Sequence, residues 1–213
     1  MVSFAEPLIL YWVLFLRVSA GAVLPGESIE FSTAAEIARI VLHTIPSLAL
    51  IGYLMLRTKS FREWGVALPQ KKDILPAVIA FPALFLIGLA ISLVSPFFGG
   101  DGPRFLPPQT AVSWAILVIS CIGAAYLEEC YFRLYLLSKR EEMGLSPNSA
   151  ALVSTLLFSL CHAWEGPWGL LNSALSGLLL AFIFLRFRSL HGVAIPHALY
   201  NILVFALGAV KGV

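Results

Sequence analysis

The sequence predicts an all-α fold, a polytopic transmembrane helical bundle of about seven to eight helices. Three observations carry that prediction. Of 213 residues, 59% are hydrophobic and 12% are Asp, Glu, Lys or Arg, against about 25% charged in an average soluble domain. So few charges cannot cover a surface that faces water on all sides. Mean hydropathy is +0.89. Apolar stretches of roughly 20 residues, long enough to cross a ~30 Å hydrocarbon core, recur along the chain. An ordinary soluble enzyme and a disordered chain are thereby excluded. Fourteen Lys and Arg against twelve Asp and Glu leave a net charge of +2, too small to attract nucleic acid, so none is expected as a partner.

The candidate spans, in order, are Leu8–Leu24, Ile37–Leu56, Ile74–Phe98, Ala111–Leu137, Ala150–Trp164, Trp168–Leu185 and Val193–Val210. The first could be read as a signal peptide, because Val18-Ser19-Ala20 resembles a cleavage site. No Lys or Arg precedes it and Arg17 interrupts the apolar run, so a retained helix is expected. The Gly- and Pro-rich stretch Ser95–Pro108 reads as a loop. No internal repeat stands out. We expect one integral membrane unit, with N-terminal transmembrane helices in residues 1–110 and a motif-bearing core in 111–205. Cys121, Cys130 and Cys161 lie in apolar stretches and read as small buried hydrophobes rather than a disulfide or metal framework.

Loop charges set the orientation. Arg57, Lys59, Arg62, Lys71, Lys72, Lys139, Arg140, Arg186 and Arg188 fall in alternate loops. The opposite loops hold Arg104, Lys211, Glu27, Glu30 and Glu165. The bias predicts a multi-pass protein of the cell membrane, in contact with lipid, with a cytosolic N-terminus and an external C-terminus.

Ionisable side chains inside spans are costly and are kept where they pair or line a wet cavity. They cluster here in the run from Glu128 and Glu129 to Arg133, at His162, and at His197 with Asn201. Glu129 and Arg133 stand i and i+4, acid first, the favourable order for a helical ion pair. Glu128 lies about 100° round the helix and lacks a local partner; a lone carboxyl in a low-dielectric site suits proton transfer. His197 and Asn201, also i and i+4, share a helix face. Counted in helix rise from the cytosolic ends, Glu128 lies ~16 Å deep, His162 ~21 Å, His197 ~13 Å and Asn201 ~19 Å. Each has a structural reading when taken singly, as ion pair, core histidine or polar glue between helices. Their shared depth points to a site. Arg39 and His43 also lie in a span, but are expected to pair with acids such as Glu36 or to snorkel.

A carboxylate and a histidine facing a hydrated cavity can activate water for attack on a carbonyl, and a second histidine with an amide can hold the oxyanion. The zincin motif is absent, yet Glu128, His162 and His197 could instead supply three ligands to zinc. Intramembrane Glu, His and Arg chains also occur in proton relays. A non-enzymatic protein, either a proton-coupled transporter or a scaffold, is therefore the alternative, although the inverted repeats typical of transporters are not visible.

The order Glu-Glu-x-x-x-Arg (Glu128–Arg133), Phe-x-x-x-His (Phe158–His162) and His-x-x-x-Asn (His197–Asn201) resembles the CPBP family. That family includes CAAX prenyl endoproteases of the Rce1 type and bacteriocin-processing or immunity (Abi) proteins. The likeness spans roughly residues 111–205. It implies an intramembrane endopeptidase with a cavity reached from the cytosolic side, acting on a membrane protein or peptide. By motif position, Glu128 and His162 would activate water, His197 and Asn201 would form the oxyanion site, and Glu129 and Arg133 would support Glu128. Whether a metal takes part stays open, and the family core usually has about eight helices.

Overall fold

The computed structural model describes residues 5–15, 28–98 and 104–211. These form seven helices: α1 (Ala5–Phe15), α2 (Thr33–Leu56), α3 (Lys71–Phe98), α4 (Ala111–Ser138), α5 (Pro147–Leu160), α6 (Ala163–Phe187) and α7 (His191–Lys211). The all-α prediction holds. The β-structure among the described residues is one parallel two-residue pairing, β1 (Ser28–Ile29) with β2 (Arg104–Phe105). It ties the chain ahead of α2 to the chain ahead of α4. The cleavage-like Val18-Ser19-Ala20 lies outside the described residues.

Four helices, α2, α3, α4 and α6, are long and apolar enough to cross a membrane, and the chain is a multi-pass membrane protein. Val78, Leu86 and Leu93 along α3 are at least 60% exposed, which is stable only against lipid. All three cysteines are free.

Side-chain caps fix where helices start. The Ser32, Thr110 and Ser146 hydroxyls accept from Ala35, Ser113 and Ser149 N–H at 3.3, 3.1 and 3.1 Å, opening α2, α4 and α5. Asp73 joins two helix starts. Its Oδ2 accepts the Gln70 N–H at 2.7 Å, and its Oδ1 accepts the Ser189 hydroxyl at 2.6 Å, while Ser189 Oγ accepts Gly192 N–H at 2.8 Å. The starts of α3 and α7 are therefore bound together beside the basic loops.

Inside the bundle α7 packs against α3 and α4, and α5 forms a hairpin with α6. Helix α1 docks on the end of α4: Tyr131 OH donates to the Pro7 carbonyl at 2.6 Å and Tyr135 OH to Glu6 Oε1 at 2.5 Å. The Phe15 ring packs 4.8 Å from Phe132, centroid to centroid.

Two features depart from the sequence reading. Helices α2 and α4 each contain a π-helical turn, Ile40–Thr44 and Cys130–Tyr135. Such turns shift side-chain register and concentrate at functional positions. Helix α5 stops at Leu160, short of the predicted Trp164. The chain then turns through His162 and a 3₁₀ turn, Ala163–Glu165, to Gly166, whose φ of 80° suits glycine. His162 thus sits in a turn, not in a helix.

Close packing at the α3–α7 start gives a test. A Cβ on Gly192 would lie 2.5 Å from Pro76 Cγ and 2.6 Å from Ser189 Oγ. Gly192→Ala is expected to cost about 1–3 kcal/mol through overpacking, read as a lower melting temperature of the detergent-purified protein. An unchanged melting temperature would show that this junction gives way freely.

Candidate active site

Helix α4 delivers Glu128 and Glu129 immediately before its π turn. Glu129 and Arg133 are both 0% exposed, with Arg133 Nε 3.1 Å from Glu129 Oε2. The pair is held by charge rather than by aligned hydrogen bonds, since neither of those atoms has a partner in hydrogen-bond geometry. Arg133 Nη2 donates to the Gly177 carbonyl at 3.2 Å, and its Cζ lies 4.4 Å from the Phe158 ring centroid. Gly177 makes this fit possible. A Cβ there would stand 2.8 Å from Phe158 Cδ1 and 3.5 Å from Arg133 Nη2.

His197 reaches into the same cluster from α7. Its Nδ1 lies 2.8 Å from Glu129 Oε1 and its Nε2 3.6 Å from Glu128 Oε2. The Glu129 carboxylate accepts, so Nδ1 carries a hydrogen and the ring orientation is set. His162 is fixed differently. Its Nδ1 lies 2.9 Å from the Phe158 carbonyl, which can only accept, so Nδ1–H donates and Nε2 keeps a lone pair. The four-residue spacing of Phe158 and His162 thus lets the histidine cap a carbonyl at the end of α5.

A cavity of about 590 Å³ is lined by Glu128, His162, His197 and Asn201 together. Glu129 and Arg133 are not among its lining residues and lie behind its wall. The structure therefore gathers four of the six sequence-predicted residues at one cavity and places the other two as their buried support. It also adds residues that sequence reasoning set aside. Arg39 Nε and Nη2 donate to Glu36 Oε2 at 2.9 and 2.6 Å, the buried Ser120 hydrogen-bonds both residues, and Glu36 and Arg39 line the cavity. Glu165, expected in an external loop, instead lines the cavity within electrostatic range of His162 and Glu128. The spacings Glu36-x-x-Arg39 and His162-x-x-Glu165 were the available signals.

The zinc alternative does not fit this geometry. Among the described residues, no group of three or more His, Cys, Asp or Glu side chains is arranged to hold a metal ion. Glu128, His162 and His197 face one cavity without converging as a ligand set.

The two adjacent glutamates should respond differently to substitution. Glu129→Gln leaves Arg133 buried without its counter-charge, which costs about 3–5 kcal/mol. Glu128→Gln alters a partly exposed carboxylate at the cavity wall that lies 3.6 Å from His197 Nε2 and whose Oε2 makes no hydrogen bond, so its loss of stability should be the smaller of the two. Melting temperatures in detergent check the pair; equal losses would contradict the division between cavity wall and buried support.

Residues 110–203 match the model of a family described as type II CAAX prenyl endopeptidase Rce1-like. Comparison with curated proteins and with solved structures gives no match. The matched segment holds all three motifs, carried by α4, by the end of α5 with its following turn, and by α7. Over residues 110–203 the chain is thus similar to the Rce1-like family, consistent with the resemblance of its motifs to the CPBP family.

Proposed function

We propose that the protein is an intramembrane endopeptidase that hydrolyses peptide bonds of membrane-associated or prenylated, CAAX-like substrates. The carrying observation is His197, held by Glu129 through Nδ1 and turned toward Glu128 through Nε2, in a cavity that also presents His162 and Asn201.

Protonation follows from charge balance. Glu128, Glu129 and Arg133 sum to one negative charge, and a His197 with both nitrogens protonated closes the balance. Its Nε2–H is then a donor inside the cavity. His162 is the complement, a ring whose Nε2 accepts. In this reading Glu128 takes a proton from water while His162 Nε2 holds the water's second hydrogen. The water oxygen bonds to the peptide carbonyl carbon, and the carbonyl electron pair moves to oxygen. His197 Nε2–H and the Asn201 amide donate to that oxyanion. Collapse breaks the C–N bond, and Glu128 returns its proton to the departing amine. Arg133 and Glu129 touch no reacting atom; they hold His197 in place.

The cell membrane is the proposed location, with the basic loops and the N-terminus in the cytosol. Residues 1–110 and 111–205 act in this reading as one unit, because Glu36 and Arg39 of α2 share the cavity with the motif residues.

A quenched panel of prenyl-peptides and membrane peptides, offered to the detergent-purified protein, tests the proposal. Glu128→Gln and His162→Ala should each lower the cleavage rate about 10²–10⁴-fold, and Asn201→Ala about 10²–10³-fold, without loss of fold. Wild-type rates from Glu128→Gln would sink the mechanism. Chelator treatment checks the metal question separately, and the rate is expected to survive it. Proton flux in proteoliposomes with no cleavage of any peptide would favour a transporter instead.

A further inference from the structure

Helix α6 turns a narrow stripe outward. Leu171, Leu175, Phe182 and Arg186 are all exposed, and at 100° per residue they fall within about 60° of arc. The stripe runs ~22 Å along the axis and is apolar until its last member. An acyl chain of one leaflet, about half of a ~30 Å core, lies within that length. Arg186 stands in the last turn of α6, and Arg188 follows in the loop to α7.

Arg188 occupies a position suited to glycine. Its φ of 51° and ψ of 41° lie in the left-handed region, which no other non-glycine residue among those described adopts, because a Cβ is unfavourable there. The turn is pinned on both sides. The Arg188 N–H donates to the Phe184 carbonyl at 2.7 Å, and the Ser189 hydroxyl donates to Asp73. The backbone thus mounts the guanidinium in a set place, with its Cζ 5.6 Å from the Phe184 ring centroid.

Positive charge is left over at this mount. Lys139 pairs with Glu6 and Glu142 at 3.2 and 3.8 Å, and Arg140 with Glu141 at 2.8 Å. Arg186 and Arg188 are exposed and have no carboxylate at ion-pair distance among the described residues. Arg188 instead has Arg140 within electrostatic range. Partial desolvation, and after it the Arg140 charge, lower the Arg188 pKa, and Glu141 acts the other way. An arginine kept on a strained turn, short of negative charge, at the foot of an apolar stripe is a receptor for an amphiphilic anion.

We infer that Arg186 and Arg188, backed by Arg140, hold the phosphate of an anionic phospholipid whose acyl chain lies along the exposed stripe of α6. Guanidinium forks match phosphate oxygens, and basic clusters flanking a span recruit anionic lipid. None of the three arginines lines the cavity, so the inference does not depend on the endopeptidase reading.

Melting of the full-length protein in nanodiscs decides it. Wild type should melt several degrees higher in an equimolar mixture of phosphatidylcholine and phosphatidylglycerol than in phosphatidylcholine alone. Arg186→Gln and Arg188→Gln should each at least halve that gain, while Lys59→Gln, an exposed position in the α2–α3 loop, should keep it. Arg188→Gly separates ligand from backbone, because glycine relieves the left-handed turn as it removes the charge. It should melt at or above the wild-type temperature in phosphatidylcholine and yet lose most of the phosphatidylglycerol gain. Inorganic phosphate added to the phosphatidylcholine discs should give no gain; one as large as the lipid's would assign the site to free phosphate and overturn the inference. A wild type that melts alike in both lipids would overturn it too, as would a full gain in Arg188→Gly. An equal loss in Lys59→Gln would do the same, by showing diffuse attraction to the basic loops rather than a site.

Discussion

Burial of the Arg133 guanidinium is the constraint on which the site depends. A fully desolvated cation in the middle of an apolar bundle is tolerable only beside a counter-charge. Glu129 supplies it at 3.1 Å, and the rest of its surroundings follow from the same need. The Gly177 carbonyl and the Phe158 ring face cover what Glu129 leaves open. Glu129 then has its second oxygen free to fix His197. A residue that reaches neither cavity nor solvent thereby sets the aim of one that lines the cavity.

Phe158 carries more than its apolar side chain suggests. Its ring centroid stands 4.8 Å from that of His162 and 5.9 Å from that of His197, and its carbonyl holds His162 Nδ1. Arg133 lies over the same ring. One aromatic side chain is thus wedged among the buried Arg133, His162 and His197. Gly177 leaves room for it on the far side. Displacing Phe158 would move all three groups at once, so the phenylalanine in the second motif is as geometric a requirement as the histidine that follows it.

Much of this was legible in the chain. Seven apolar runs predict the seven helices, because lipid demands length and hydrophobicity from each span. The i,i+4 spacing of Glu129 and Arg133 foretold their pairing even though a π turn, which spacing alone does not announce, begins between them. What spacing could not supply is which helix faces which. The expected pairing of Arg39 with Glu36 is present, but its place at the cavity was not legible because their own helix says nothing of α4 beside it, where Ser120 completes the cluster. Glu165 read as an external loop residue because α5 was expected to run on to Trp164. Its early end at Leu160 draws the turn inward and puts both His162 and Glu165 on the cavity wall. The partner of the Glu129 carboxylate on α7 was equally invisible, since nothing in residues 128–133 names His197.

Hydrolysis inside a bilayer needs water at the scissile bond and exclusion of water from the buried charges beside it. Here a single stretch of α4 divides the two conditions. Glu128 faces the cavity, while Glu129, the next residue, is 0% exposed. A helix turns about 100° per residue, enough to put adjacent carboxylates on opposite sides of a wall. The aromatic and aliphatic layer from Tyr131 to Leu137 continues that wall toward the basic loops. Were the layer breached, water would reach the Arg133 pair and weaken the electrostatic hold on His197 by raising the local dielectric. The wall on α4 therefore meets both conditions at once, because Glu128 stands at the cavity while the Glu129–Arg133 pair behind it stays buried and strongly coupled.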